Sequence, residues 1–207
     1  MELTPAQKAA LKELLNIGFG RAAASLSQLT GHEVLLDIPA VSIHPLAQLR
    51  PALAEVVRDD VASVHQIFSG PVAGNALLIL NHEAAGLLKQ LLTDETPLPL
   101  NIDASGREAL TEVGNILLNA CLVTVGHLLD EQVSFSIPYL DLDTLQRIID
   151  PLLVSRESLR YGLLVQAGFR LRDTEVHGYL VIALSEPSHD RLIKAIEVRE
   201  RKGGPWL

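Results

Sequence analysis

The hydrophobic pattern of residues 5–30 predicts a long amphipathic helix. Apolar residues recur at helical spacing along one side of this stretch: Ala10, Leu14, Ile17 and Ala24. Thr4 and Pro5 form a suitable N-cap and first-turn pair, and Gly31 is a suitable stop. The chain therefore opens with a helix of about seven turns.

Shorter apolar runs follow this helix. Residues 32–43 have β-branched character and predict a strand, and residues 44–60 form a proline-punctuated connection. The runs at residues 61–68 and 76–80 predict a hairpin, and residues 82–92 predict a helix. This half of the chain is thus predicted to combine helices with antiparallel strands.

The order of elements then starts again. Residues 104–129 predict a second long helix, and residues 132–138 predict a strand. The segment GYLVIAL at residues 178–184 matches GNALLIL at residues 74–80, with an offset of 104 residues. The second hairpin therefore matches the first.

Three residues that the helix period does not demand recur in one register. Glu112, Asn115 and Pro138 each follow an identical residue by 99 positions: Glu13, Asn16 and Pro39. Two amphipathic helices share apolar positions by chance, but chance accounts poorly for a Glu, an Asn and a Pro together. We therefore predict one domain over residues 1–207 that consists of two repeats, residues 1–100 and 101–207.

Each Glu and Asn lie three residues apart, so they share one face of their helix. An Asn amide does not titrate and cannot act as a general base, but its oxygen and NH₂ group can hold a water at a fixed angle. The carboxylate of the Glu is suited to binding a cation on the substrate. A single Glu and Asn at this spacing usually form the solvated edge of an amphipathic helix. Because the pair recurs in both helices, we instead expect it to hydrolyse a substrate with a positioned water. Such a substrate would carry its own metal and activation, as a phosphoryl group on a protein does.

Composition and charge limit the classes of molecule that this protein is expected to bind. Seventeen basic and 25 acidic residues give a net charge of −8, which disfavours nucleic acid. The single cysteine, Cys121, cannot form an internal disulfide, and the first residues do not resemble a signal peptide, so a cytoplasmic protein is expected. The apolar stretch at residues 117–129 is shorter than the roughly 18 residues of a membrane span and contains Asn119, so no membrane partner is expected.

Other motifs have weaker support. Gly18, Gly20 and Ala23 satisfy G-x-G-x-x-A, but they lie inside the predicted helix rather than after a strand, so a dinucleotide site is disfavoured. The seven histidines have no metal-ligand spacing, and we expect no metal site in this chain.

The two helix sequences, LKELLNIGFGRAAASLSQL and REALTEVGNILLNACL, each with E-x-x-N followed by 22 residues and a proline, resemble the CheC family of response-regulator phosphatases. That family and its relatives CheX and FliY are described by D/S-x-x-x-E-x-x-N-x(22)-P, and CheC proteins carry two copies. The resemblance covers nearly the whole chain. It implies a two-layer α/β fold with pseudo-twofold symmetry, in which two long motif helices pack on a continuous, mostly antiparallel sheet.

The resemblance also implies an activity: hydrolysis of the aspartyl phosphate of a CheY-like receiver domain, which terminates a two-component or chemotaxis signal. The Asn would orient the attacking water, and the Glu would form a salt bridge with the receiver's lysine. The catalytic residues implied are Glu13, Asn16, Glu112 and Asn115. Glu108, Pro39 and Pro138 are the implied supporting residues. The protein would need no cofactor of its own, because Mg²⁺ would belong to the receiver.

The leading Asp or Ser of the family pattern is absent from both copies, since Ala9 and Glu108 stand in its place. Glu108 keeps a carboxylate, so we expect the second site to be the stronger one. The alternative is a non-catalytic adaptor that binds a phosphorylated receiver or a CheD-type partner. A component of the flagellar switch resembling FliY is less expected, because the chain ends soon after the second repeat. With both motifs in one chain, a monomer is expected.

Overall fold

The computed structural model of the protein describes residues 3–57, 60–93, 102–154, 159–171 and 174–202. Helices and strands follow in this order: α1 (Pro5–Thr30), β1 (Val34–Asp37), β2 (Val41–Pro45), α2 (Leu46–Ala54), β3 (Asp60–Ser69), β4 (Gly74–Asn81), α3 (His82–Thr93), α4 (Ala104–Leu128), β5 (Ser134–Phe135), β6 (Tyr139–Thr144), α5 (Leu145–Leu153), β7 (Leu159–Leu171), β8 (Thr174–Ser185) and α6 (Glu186–Lys202). The series from α1 to α3 has the same order of helices and strands as the series from α4 to α6.

The strands form one eight-stranded sheet in which the described pairings are antiparallel. Its path is β1-β7-β8-β4-β3-β5, with β2 also paired to β7 and β6 also paired to β3. The edge strands of each half therefore pair with the long hairpin of the other half. The two halves are interlocked through the sheet.

The middle of the sheet is the pairing of β4 with β8, where Leu77 lies opposite Val181. These two residues are 104 positions apart, the same offset that relates the two hairpin sequences. Each residue thus faces its counterpart in the other half. An axis of approximate twofold symmetry passes between them.

The sheet carries helices on both faces. Side chains alternate along β4, so that Ala76, Leu78 and Leu80 enter a large core with α1, α3, α4 and α6, whereas Leu77 and Ile79 enter a smaller core with α2 and α5. The prediction of a mixed fold with two long helices on an antiparallel sheet is confirmed. The structure has three layers rather than the predicted two, because α2 and α5 cover the second face of the sheet.

The two long helices pack against each other in antiparallel directions. A Cβ on Gly18 would lie 3.0 Å from the carbonyl oxygen of Ala120, so the glycine permits close approach. The first turn of α1 lies beside α6, where Gln7 Nε2 donates to Glu197 Oε1 at 3.1 Å. The last turn of α4 lies beside the same helix, since Leu128 lines a groove with α6. The start of α1 and the end of α4 are therefore at one end of the molecule.

The ends of α1 are as predicted. The hydroxyl of Thr4 accepts from the backbone N–H of Gln7, whose side chain accepts from the N–H of Thr4, and Pro5 occupies the first turn. Gly31 closes the helix with a φ of 69°, a left-handed conformation that glycine adopts without strain. In α4 the N-cap is Asp103, 99 residues after Thr4, and its carboxylate accepts from the N–H of Gly106.

Some predicted elements differ in extent. The strand predicted for residues 32–43 is interrupted at residues 38–40, and residues 44–60 include α2. Of residues 132–138 only Ser134–Phe135 are strand. In the described part of the chain, α4 alone is long and apolar enough to cross a membrane, and 56% of its most apolar window is buried inside the protein. That burial makes it a core helix.

Candidate functional site

The outer face of α4 carries the second predicted motif. Glu108, Glu112 and Asn115 follow one another at spacings of four and three residues, which places them along one stripe of the helix. Glu108 and Glu112 are exposed, and Asn115 is half-buried. Asn115 Nδ2 lies 3.4 Å from Glu112 Oε2, a long hydrogen bond. The structure thus brings the predicted Glu and Asn of this copy into contact.

A second asparagine completes this arrangement. Asn119 Nδ2 donates to Asn115 Oδ1 at 2.8 Å, a much shorter bond than the one to Glu112. Residues four apart on a helix are neighbours, so the contact follows from the spacing. In the sequence Asn119 stands out only as an interruption of an apolar stretch. The signal for its role was a polar amide one turn after the motif Asn, between the apolar residues Leu118 and Ala120.

A groove of about 720 Å³ runs beside the two glutamates. Three leucines from other elements and six residues of α4 line it: Leu29, Leu92, Leu140, Ser105, Arg107, Glu108, Ala109, Thr111 and Glu112. Leu29 is 57% exposed, and Arg107 Nη2 donates to the carbonyl oxygen of Leu140 at 3.2 Å. Asn115 lies beyond this lining. The groove therefore surrounds the carboxylates rather than the amide.

The first motif lies on the outer face of α1 and is more open. Glu13 and Asn16 are both exposed, and neither side chain has a hydrogen-bond or ion-pair partner among the described residues. Ala9, one turn earlier, is exposed and apolar. Lys12 Nζ donates to the carbonyl oxygen of Pro39 at 3.4 Å, which places the loop between β1 and β2 beside the motif.

The two motifs lie toward opposite ends of the helix pair. The helices are antiparallel and cross where Gly18 faces Cys121, and both motifs precede this crossing in their own helix. At about 1.5 Å per residue, Glu13 and Glu112 are separated by roughly 20 Å along the helix axis. The two motifs therefore form two sites.

The motif prolines lie in corresponding loops. Pro39 follows β1 and is exposed, and Pro138 follows β5 and is half-buried. Two hydrogen bonds hold the second loop against β3. Gln66 Nε2 donates to the carbonyl oxygen of Ser136, and the backbone N–H of Ser136 donates to the carbonyl oxygen of Ile67. Pro39 thus lies two residues after its short strand and Pro138 three, outside the strand ladders, where a missing N–H is tolerated.

Other candidate residues lie elsewhere. Gly18, Gly20 and Ala23 are inside α1, which is the wrong context for a dinucleotide turn. Cys121 is fully buried, and desolvation raises the pKa of its thiol, so it is a core residue. In the described ranges no group of three His, Cys, Asp or Glu side chains is placed to hold a metal ion.

Comparison with known proteins identifies relatives across the chain. No protein-family model matches. The chain is 27% identical over 144 residues to the CheY-P phosphatase CheC of Bacillus subtilis, which covers 67% of this chain and 68% of that protein. The structure of Thermotoga maritima FliY aligns over 98% of this chain and 100% of its own, with a TM-score of 0.75 and 19% identity. H. pylori FliM, solved in complex with SpeE, aligns over 96% and 98% of the two chains, with a TM-score of 0.69 and 8% identity. At these identities the two structures show a shared fold.

Proposed function

The chain belongs to the CheC family, and from this premise we propose that it is a hydrolase that removes the phosphoryl group from the aspartate of a CheY-like receiver domain in chemotaxis signalling. The observation that carries the proposal is the contact between Glu112 and Asn115 on an exposed helix face, with the same residue pair repeated on α1. The curated relative that matches the chain is named for this activity.

In the proposed reaction the outer face of α4 docks over the phosphorylated aspartate of the receiver. The amide of Asn115 holds a water in line with the bond between phosphorus and the aspartate oxygen. The water oxygen bonds to phosphorus, the aspartate oxygen leaves with the electron pair of the broken bond, and the water proton passes to the released phosphate. Mg²⁺ on the receiver would neutralise charge on the phosphoryl group.

Charge and shape around Glu112 suit such docking. Two exposed carboxylates, Glu108 and Glu112, can face a lysine of the receiver. The leucines that line the groove, Leu29, Leu92 and Leu140, can pack against the surface around that lysine. Carboxylates beside apolar side chains favour a basic protein surface over a free phosphate ion.

The test is the decay of a phosphorylated CheY-like receiver from the same source, with and without this protein. We expect the wild type to accelerate decay and the double variant Asn16→Ala/Asn115→Ala to lose the acceleration. Binding of the receiver, measured separately by titration calorimetry, should survive in the double variant. Unchanged acceleration by the double variant would show that the asparagines do not position the water.

A second candidate is a non-catalytic adaptor that uses the same faces. FliM shares the fold and was solved in complexes with SpeE and with FliG, so this fold also serves protein assembly. Glu13 and Asn16 on α1 are exposed and have no partner among the described residues, which suits binding as well as catalysis. An adaptor would bind the phosphorylated receiver, or a CheD-type partner, and leave the lifetime of the phosphoryl group unchanged or lengthen it. The decay assay therefore separates the two candidates.

A further inference from the structure

We propose that Asn119 is a positioning residue that fixes the amide of Asn115 for water attack, and that its absence from the first copy makes α4 the faster site. The inference rests on the proposed phosphatase function. Its geometric basis is the 2.8 Å hydrogen bond from Asn119 Nδ2 to Asn115 Oδ1. The residue in the same register of α1, 99 positions earlier, is Gly20.

The bond leaves Asn115 with the right groups free. An Asn side chain has two N–H donors and two oxygen lone pairs. Asn119 uses one lone pair and Glu112 one N–H, so one lone pair and one N–H of Asn115 remain for a water. With a partner on each side, the amide plane is held by two contacts. A water bound to the remaining groups then has one direction of approach instead of many.

Stability alone does not explain this asparagine. Asn119 Oδ1 is buried and has no hydrogen-bond donor in the part of the chain that the structure describes. A buried acceptor without a donor destabilises a fold. An alanine at this position would leave no such group. The amide therefore makes its bond to Asn115 while leaving a buried acceptor unpaired, as is typical of a functional position.

In the first copy of the motif, position 20 has space for a side chain like that of Asn119, but the residue there is glycine. A Cβ placed on Gly20 meets no atom within 4 Å, so a side chain fits there without displacing a neighbour. Asn16 is exposed and has no hydrogen-bond partner among the described residues. Its amide can therefore rotate, and a water bound to it approaches from many directions. Installing an asparagine at position 20 should supply the missing contact.

The loss experiment isolates the second site in an Asn16→Ala background. Asn119→Asp keeps the shape of the side chain but removes the donor, and Asn119→Ala removes both. We expect each to lower kcat for the phosphorylated receiver by roughly three- to tenfold, the size of one hydrogen bond, while KM stays within about twofold. A kcat equal to that of the Asn16→Ala parent, or a change in KM alone, would overturn the positioning role.

The gain experiment uses an Asn115→Ala background, in which only the first site remains. Gly20→Asn should raise kcat roughly threefold, and Gly20→Ala is the matched control for the gain in helix propensity. Equal rates for the two variants would count against the proposal. A wild-type protein that does not accelerate decay would instead refute the phosphatase function itself. Relaxation of the Asn115 side-chain amide, measured by NMR, tests the contact in either case, because Asn119→Ala should increase its motion.

Discussion

The motif on α1 and the motif on α4 have the same residues at the same spacing but different surroundings. On α1 the amide of Asn16 is exposed, with no partner among the described residues and with glycine one turn later. On α4 the amide of Asn115 is half-buried between Glu112 and Asn119. The motif thus sets which groups are available, whereas the residues one turn away set how firmly they are held.

The largest effect expected from this difference concerns activity. Asn115→Ala should reduce the acceleration of receiver dephosphorylation by roughly four- to tenfold, because the better-held amide is lost and only the α1 site remains. Asn16→Ala should reduce it by less than about twofold, since the remaining site carries most of the turnover. The measurement is the single-turnover decay of the phosphorylated receiver at saturating protein. A larger loss from the α1 variant would reverse the assignment of the stronger site.

The seating of the two helices on the sheet provides a second test. A Cβ on Gly114 would lie 2.5 Å from two carbons of the buried Val64 side chain, whereas a Cβ on Gly20 has open space. Gly114→Ala should therefore destabilise the protein by about 2–3 kcal/mol through overpacking. Gly20→Ala should stabilise it by about 0.5–1 kcal/mol through helix propensity. Urea unfolding of both variants checks the pair, and equal stabilities would show that α4 can shift off the sheet without penalty.

The halves also differ in their response to acid. His65 on β3 stacks on Tyr139, and burial lowers its pKa from 6.5 to about 4, although Asp141 acts in the opposite direction. The residue 99 positions later, Leu164, does not titrate. Since the unfolded chain binds a proton that the folded chain does not, stability should fall by on the order of 2 kcal/mol as the pH falls from 6.5 toward 4.

His65→Leu copies the other half and should remove this part of the acid sensitivity. The comparison is urea unfolding of the wild type and the variant at about pH 7.5 and about pH 4.5. If both proteins lose the same stability between these values, His65 is not the group responsible.

The smallest expected effect is at the start of α1. Thr4→Ala removes the side-chain half of the capping box and should destabilise the protein by about 1 kcal/mol. Thr4→Asp, which copies the cap that α4 uses, should retain most of the wild-type stability. Thermal unfolding of the three proteins checks the order, and an alanine variant as stable as the wild type would show that α1 is held by packing alone.

The long helices and the hairpins could be predicted because their patterns persist over many residues. The periodic stretch at residues 5–30 and the alternating strands needed no tertiary information. The short helices α2 and α5 were missed because each contains an internal proline, Pro51 and Pro151, which is typical of a connection. Their place on the second face of the sheet depends on packing that no local pattern encodes.

The site was predictable to the same degree. The recurrence of Glu and Asn in one register pointed to both motifs, and their roles stay a prediction until turnover is measured. The contact between Asn115 and Asn119 was readable from the spacing of four residues alone. Which amide atom faces which partner, and that Gly20 leaves open space, depend on three-dimensional neighbours.

The ion pair between α2 and α5 bears on how a partner can approach the face opposite the motifs. Arg50 Nη1 lies 3.1 Å from Asp150 Oδ1, and both side chains are partly exposed. In the 99-residue register of the two repeats the counterpart of Arg50 is Ile149, so the approximate twofold symmetry does not copy this contact. The face opposite the motifs is therefore asymmetric in charge although its two helices correspond, and a partner bound there would have one preferred orientation.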